Sequence, residues 1–300
     1  MKKSTGLYSL ILTLTVLCGM VIAQDLHREV KRTNEKEVKV KIEASFGSVN
    51  IVKGTSDKIV SVLYKKKKNK NKPKLYLNYY LNKNVGNLKL EMHPEGAEVK
   101  SSNDGDGGVN VHLNNFDFNP DEWYVQLVEG IPLSIDAELG AGKSNFDFSG
   151  LIINDLKIST GASSSKLRFD EKNSGEIKTL RIESGVSKFV ADNLNNANFQ
   201  TLEFEGGVGA YVLDFGGELK REVKVDINVG LGAITLLIPK NVGVKIKYED
   251  SWFSNLSLDD EEFVRRKKGI YESTNYLDAE GKMNILIESG LGSIRIKRTH

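Results

Sequence analysis

A ten-residue motif that returns at nearly constant spacing constrains the fold of this 300-residue chain more than any other feature. Its form is apolar-x-x-small-apolar-small-x-apolar-x-apolar, where small means Gly or Ser. The clearest copies are IESGVSKFVA at 182–191, FEGGVGAYVL at 204–213, INVGLGAITL at 227–236 and IESGLGSIRI at 287–296. Weaker copies are IEASFGSVNI at 42–51, AELGAGKSNF at 137–146 and ISTGASSSKL at 158–167. In chain order these are seven copies. From the second copy to the sixth, successive starts are 21, 24, 22 and 23 residues apart, which indicates a structural repeat.

The length of the repeat predicts the architecture. Second apolar runs, such as those at 177–182 and 199–204, precede the motif copies, so a period of about 22 residues holds two short strands and two turns. Such coils bury an apolar face only by stacking, at about 4.8 Å per coil. We therefore predict an all-β fold in which 129–300 form a parallel β-solenoid. The small residues suit sharp bends, where φ is often positive and neighbouring coils approach closely.

The N-terminus is typical of a secretory signal. Lys2 and Lys3 precede an apolar run that ends in Val21-Ile22-Ala23, and we expect cleavage after Ala23. The alternative is an uncleaved anchor, because the run is near the short limit for crossing a bilayer. No later run has spanning length, so the mature chain is predicted to lack a transmembrane segment. We expect an exported protein located in the periplasm, on the cell surface or outside the cell.

The remaining segments are assigned by their patterning. Residues 24–40 are highly charged and predict a tether, and 41–128 alternate with period two, which predicts an N-terminal β-rich region. The last two motif copies start 60 residues apart, so 248–284 form an excursion that caps the solenoid. Within it, Ser257 followed by acids and then bases up to Lys268 predicts an N-capped helix.

Two groups of residues are candidates for binding. Aromatic side chains crowd the excursion; we favour a role in capping the solenoid, and the alternative is an aromatic binding surface made by Trp252, Phe253, Tyr271 and Tyr276. A basic cluster is the other candidate, as a contact for an anionic surface or, as we favour, a solvated loop that protects strand edges. Its members are Lys65, Lys66, Lys67, Lys68, Lys70 and Lys72.

Composition excludes several functional classes. Loss of residues 1–23 lowers the Lys and Arg count from 42 to 40, which equals the 40 Asp and Glu. The mature chain therefore has no positive net charge that would attract it to nucleic acid. The only cysteine, Cys18, lies in the signal, so the mature chain lacks disulfides and thiol chemistry. The four histidines show no paired metal-binding spacing. We predict no catalytic residue, cofactor or metal.

The Gly-x-Gly coils and the closing IESGLGSIRIK resemble the toast-rack and LiaF-like C-terminal families, and are similar to bacterial putative-adhesin β-solenoids. The likeness covers about 42–299 and is strongest from Trp123 onward. It implies a β-solenoid fold and supplies no catalytic residues. LiaF-like relatives are tethered to membranes by helices and are linked to sensing envelope stress, whereas this chain is predicted to have only a signal peptide.

These observations predict an exported, non-catalytic protein of the cell envelope or surface that binds or scaffolds in an adhesin-like manner. The expected partners are envelope polymers, an anionic lipid surface or another envelope protein, and not nucleic acid. Two alternatives stay open. One is a carbohydrate-active β-helix enzyme, which would show acids and bases clustered on one solenoid face; the other is an envelope-stress sensor or regulator of LiaF-like type.

Overall fold

A computed structural model describes residues 26–65, 74–93, 122–249, 254–258 and 261–300. Within these residues the chain forms strands, with one 3-10 turn at Leu194–Ala197. The strands are β1 (Leu26–Lys31), β2 (Glu37–Lys53), β3 (Lys58–Lys65), β4 (Lys74–Asn82), β5 (Val85–His93), β6 (Glu122–Leu127), β7 (Pro132–Asp147), β8 (Ile152–Arg168), β9 (Ile177–Asp192), β10 (Phe199–Asp214), β11 (Glu222–Pro239), β12 (Gly243–Glu249), β13 (Ser254–Ser257), β14 (Phe263–Lys267), β15 (Ile270–Ser273) and β16 (Lys282–Thr299).

Each motif copy lies inside one long strand of 16 to 18 residues. The predicted pair of short strands per period is therefore a single bent strand. The small residues permit this because the backbone turns through them while keeping its pairing to both neighbours, as at Gly209 and Gly232. The expected positive φ at the bend is found at Gly232 (138°) and Gly292 (140°).

The bend divides each coil into a first arm, before the small residues, and a second arm, after them. In β10 the buried side chains of the first arm are Leu202 and Phe204, and those of the second arm are Tyr211 and Leu213. The two arms thus turn their apolar sides toward a shared core. The other side of each arm carries polar residues, as period-two alternation requires.

The coils stack in the order β2-β7-β8-β9-β10-β11-β16, and every pair along this path is parallel. The register aligns the motif copies with one another, so Phe204 pairs with Ile182 on one side and Ile227 on the other. The predicted all-β fold with stacked parallel coils is confirmed.

Shorter strands cover both ends of the stack. At one end β5 pairs with the first arm of β2 and β6 with its second arm. At the other end β12 and β13 pair in the same way with β16, which is last in sequence and lies between β11 and β12. The first and last motif copies are therefore hydrogen-bonded on both sides, and their edges are not open to other chains.

The predicted helix over Ser257–Lys268 is wrong. Among the described residues of this segment, β14 pairs antiparallel with β15 through a turn at Gly269, whose φ is 69°. Phe263 is buried against the core, and the basic residues after it line an edge strand. Tertiary pairing of β15 with β12 outweighs the local charge pattern that favours a helix.

Part of the predicted tether also has regular structure, because Leu26–Lys31 form β1, which pairs with β3. The sheet is continuous between the predicted N-terminal region and the solenoid, since β2 pairs with β7. Across the residues that the structure describes, no helix has the length and apolar character needed to span a bilayer.

Candidate functional site

The basic cluster is described only at its start. Lys65 ends β3 with an exposed side chain whose ammonium lies 4.5 Å from the ring centroid of Tyr124. Lys66, Lys67, Lys68, Lys70 and Lys72 lie outside the described residues. Contact of this cluster with an anionic surface therefore stays a prediction.

The aromatic candidates are also partly described, because Trp252 and Phe253 lie outside the described residues. Tyr271 is half-buried and packs against the core. The Tyr276 hydroxyl donates a hydrogen bond of 2.9 Å to Asn284 Oδ1, and the ammonium groups of Lys245 and Lys282 lie 5.9 and 5.8 Å from its ring. Burial raises the pKa of Tyr276. Both tyrosines are thus held by contacts at the C-terminal end of the stack.

The structure brings together a set of residues that the sequence prediction missed. The second residue of every motif copy points outward from the first arm, and parallel pairing aligns these residues in one row across the coils. We call it the carboxylate row, and its members are Glu43, Glu138, Ser159, Glu183, Glu205, Asn228 and Glu288. Five of the seven copies carry Glu at this position, and this frequency is the signal that could have found the row.

A shallow groove of about 670 Å³ runs beside the carboxylate row across β7 to β11. Its floor is the fourth residue of each motif copy, which is glycine in all five coils: Gly140, Gly161, Gly185, Gly207 and Gly230. These residues stack closely, since a Cβ on Gly161 would lie 2.2 Å from the carbonyl oxygen of Gly140. Because the floor has no side chains, the groove offers bare backbone bordered by carboxylates.

Ion pairs neutralise one part of the row. Lys41 lies 2.8 Å from Glu43 and 3.5 Å from Glu138, and Lys157 lies 3.1 Å from Glu183. The hydrogen bond from Lys41 lowers the pKa of Glu43. Burial opposes ionisation of Glu183, but its hydrogen bonds and ion pair outweigh this and lower its pKa.

The C-terminal part of the row differs in its electrostatics. Among the described residues, no basic side chain forms an ion pair with Glu205 or Glu288. Both side chains are exposed. This end of the row therefore presents negative charge that no described basic group contacts, and the nearby Arg181 guanidinium offsets part of the charge of Glu205.

Asp136 is the chemically unusual carboxyl of this face. It lies two residues before Glu138, and its Oδ1 is buried without a hydrogen-bond partner. Burial, together with the nearby charge of Glu138, raises the pKa of Asp136, although Lys41 and Lys157 act in the opposite direction. A carboxyl with a raised pKa beside basic groups can act as a proton donor.

No grouping of three or more His, Cys, Asp or Glu able to hold a metal ion is found in the described part of the chain. The features of the face are thus a row of carboxylates, a glycine floor and Asp136. Their arrangement can accept hydrogen bonds and cations along a line, with one equivalent group about every 4.8 Å.

No curated protein matches the chain. Among solved structures, a putative cell adhesion protein from Clostridium sporogenes ATCC 15579 is 24% identical, with a TM-score of 0.45 over 92% of this chain and 99% of that one. A putative adhesin from Bacteroides fragilis NCTC 9343 is 12% identical, with a TM-score of 0.38 over 92% of this chain and 98% of that one.

Two family models together span almost the whole chain. Residues 190–296 match the family described as cell wall-active antibiotics response LiaF, C-terminal. Residues 22–192 match the N-terminal domain of toast_rack, DUF2154, and this match covers more than half of the chain. The resemblance inferred from the Gly-x-Gly coils is thereby confirmed, and the chain belongs to the toast_rack family.

Proposed function

We propose that the protein is an exported, non-catalytic binding or scaffold module of the cell envelope, and that it engages its partner along the outer face of the first arms. The observation that carries this proposal is the open groove beside the carboxylate row, which crosses five coils and has a glycine from each coil on its floor. A surface that repeats along one axis suits a partner that is itself extended.

The shape of the groove supports binding of an extended partner over turnover of a small molecule. Sites for small molecules are concave and bury most of the ligand surface. This groove is shallow, and its glycine floor leaves room for a chain to lie across the coils. Most carboxylates near its N-terminal end are tied into ion pairs, which suits a stable charged surface.

The envelope location is supported by two independent features. The match over 190–296 is to a family whose description refers to a cell wall-active antibiotics response. The N-terminal residues have the order of basic, apolar and small residues that is typical of a secretory signal. The family description also supports a second candidate, in which binding on this face reports envelope stress to another protein.

Asp136 favours one further candidate, a carbohydrate-active enzyme. A carboxyl with a raised pKa beside Lys157 and Glu183 is an arrangement of acid and base on one solenoid face. In this candidate a polysaccharide lies across the first arms. Asp136 protonates the leaving-group oxygen as the glycosidic bond breaks, and the Glu183 carboxylate takes a proton from the water that attacks the sugar carbon. The ion pairs around it and the open geometry favour the binding function.

The test is binding of the protein, produced from Gln24 onward, to arrays of glycans and to isolated envelope fractions. We expect saturable binding that is reduced when Glu183, Glu205 and Glu288 are all changed to Gln. The control changes Glu218, Glu222 and Glu280 to Gln, which removes equal charge away from the row. A second variant with Lys65–Lys68 changed to Ser locates binding at the basic cluster if it alone abolishes the signal.

Two results would overturn the proposal. One is an absence of saturable binding to every glycan and envelope fraction. The other is release of shorter glycans that is lost in Asp136→Asn, because this result assigns the face to the enzymatic candidate.

A further inference from the structure

An apolar ridge runs along the outside of the bends. It consists of the fifth residue of four successive motif copies: Val186, Val208, Leu231 and Leu291. Parallel pairing places Val208 directly beside Val186 and Leu231, and Leu231 beside Leu291. Their exposed fractions are 64%, 44%, 45% and 45%, so about half of each residue remains in contact with water although the side chains stack on one another.

The bend itself does not require large apolar side chains at this position. In β7 and β8 the equivalent residues are Ala141 and Ala162, and those coils bend and pair in the same register. Larger side chains occupy this position in the four successive coils β9, β10, β11 and β16, and in β2 the equivalent residue is Phe46, which Ala141 and Ala162 separate from the ridge. A contiguous exposed apolar strip of this kind marks an interaction surface in soluble proteins.

The residues on either side of the ridge indicate the chemistry of its partner. The groove and the carboxylate row lie on its first-arm side, where Glu205 and Glu288 form no ion pair among the described residues. On the second-arm side the next outward residues are small in three of the coils: Ala210, Ala233 and Ser293. In β9 the equivalent residue is the exposed Lys188, which lies at the Val186 end of the ridge. The ridge is therefore accessible, and the part from Val208 to Leu291 has acidic residues on its first-arm side and small residues on its second-arm side.

The dimensions favour a narrow partner. Three strand steps separate Val186 from Leu291, a distance of about 14 Å. A stable dimer buries about 800 Å² on each partner, and a single row of four side chains is far narrower than such an interface. An extended polypeptide of about four to five residues covers the same length, since it rises about 3.4 Å per residue.

The chemistry favours a basic, apolar polypeptide over the other envelope components. Sugar rings are bound mainly by aromatic faces, whereas the ridge is aliphatic. Anionic lipid is repelled by the unpaired carboxylates. In an extended polypeptide successive side chains point to opposite sides, so alternating apolar and basic residues would reach the ridge and the carboxylate row at the same time.

We propose that the ridge and the C-terminal part of the carboxylate row form a docking strip for an extended segment of another protein, in which aliphatic residues alternate with Lys or Arg. This inference rests on the proposed binding function and names the class of its partner. Apolar side chains of the segment pack on Val208, Leu231 and Leu291. Its basic side chains pair with Glu205 and Glu288.

The experiment measures binding of a fluorescent decapeptide, in which Leu or Val alternates with Lys, to the protein produced from Gln24 onward. A second peptide has Glu in place of Lys. The ridge variant is V208S/L231S, and the charge variant is E205Q/E288Q. The matched control is Val264→Ser, which removes an equally exposed apolar side chain (42%) from the edge strand β14.

We expect the basic peptide to bind saturably and the acidic peptide not to bind. The ridge variant should weaken binding about tenfold or more, the charge variant should weaken it in a salt-dependent manner, and Val264→Ser should have no effect. Equal binding of both peptides, no saturable binding, or unchanged binding to the ridge variant overturns the proposal. Envelope binding that persists undiminished in the ridge variant would overturn this inference alone and leave the proposed function standing.

Discussion

Phe204 and Tyr211 pack against each other across the bend of a single coil, with ring centroids 5.2 Å apart. Both side chains are buried, whereas Val208, which lies between them in sequence, is exposed. One ten-residue motif thus supplies a core contact between the two arms and a surface residue at the bend. Phe204 and Tyr211 therefore contribute to stability, whereas Val208 is available for contact with a partner.

The first prediction concerns this division. Phe204→Ala should lower the free energy of unfolding by about 3–5 kcal/mol, because it leaves a cavity between the arms that the neighbouring coils cannot close. Val208→Ala should change it by less than about 0.5 kcal/mol, because the side chain is exposed at the surface and not part of the core. Urea denaturation of both variants measures the difference. Equal losses would show that the ridge is part of the core.

The second prediction concerns the bends. Gly232 has a φ of 138°, and a Cβ there would lie 1.9 Å from the carbonyl oxygen of Gly209 in the neighbouring coil. Gly232→Ala must therefore displace the backbone, and we expect a loss of more than about 2 kcal/mol in the free energy of unfolding.

Gly130→Ala is the matched control for the bend. Gly130 also has a positive φ (77°), but a Cβ there meets nothing within 4 Å. Gly130→Ala therefore costs only the strain of a positive φ in a residue with a side chain, about 1 kcal/mol in the free energy of unfolding. Thermal unfolding distinguishes the two variants. If they lose the same stability, the close approach of coils is not what selects glycine at the bend.

The third prediction concerns a buried carboxylate at the N-terminal end. Glu35 Oε1 accepts a hydrogen bond of 2.5 Å from the Tyr79 hydroxyl, and Oε2 accepts one of 2.7 Å from the Thr33 amide. Burial opposes ionisation, but these hydrogen bonds outweigh it and hold the pKa of Glu35 below its usual 4.5. Glu35 therefore stabilises the fold above this pH, and its contribution is lost as the pH falls through the lowered pKa.

Tyr79→Phe should cost about 1–3 kcal/mol at pH 7, because it removes a hydrogen bond to a buried charge. The loss should shrink at acidic pH, where Glu35 becomes protonated. Tyr80→Phe alters an exposed hydroxyl on the same strand and should leave stability unchanged. Denaturation curves between pH 3 and pH 7 provide the measurement, and a loss that is independent of pH would argue against the charged hydrogen bond.

The fourth prediction concerns Asp136, whose pKa is raised, chiefly by burial. The folded state then binds this proton more tightly than the unfolded state, so stability declines as the pH rises from the ordinary value of 3.8 through the raised pKa. Asp136→Asn should be more stable than the parent at pH 7, with the gain vanishing in acid. The control Asp226→Asn changes an exposed carboxyl on the same side of the first arms, and denaturation of both variants is measured at pH 7 and in acid. A destabilised Asp136→Asn at pH 7 would mean that the charge of Asp136 is needed.

The repeat made the solenoid predictable because its spacing sets one coil per motif copy, and the glycines marked the bends. The ends were less predictable, since insertion of β16 between β11 and β12 depends on pairing between residues far apart in sequence. The segment Ser257–Lys268 illustrates the limit. Its charges favour a helix locally, but burial of Phe263 and pairing of β15 with β12 produce a hairpin.

The candidate site was harder to find from the sequence. The carboxylate row is visible in the motif as a recurring Glu at the second position, but only the register shows that these residues form one line. The ridge could not be recognised, because an apolar residue in a strand pattern such as Val208 is expected to be buried. In β10 the residues that are buried just before the bend, such as Phe204, have even numbers, and those buried after it, such as Tyr211, have odd numbers. The alternation of buried and exposed residues changes phase at the bend, and Val208 is exposed there.

The most direct test of the binding face uses the absence of cysteine after Cys18. Val208→Cys and Val264→Cys, each in the protein produced from Gln24 onward, accept one environment-sensitive fluorophore at matched exposure. Each labelled protein is titrated with the envelope fraction that binds the unlabelled protein. We predict a saturable change in emission at position 208 and none at position 264. A change confined to position 264, or binding without any change at position 208, would contradict the assignment of this face.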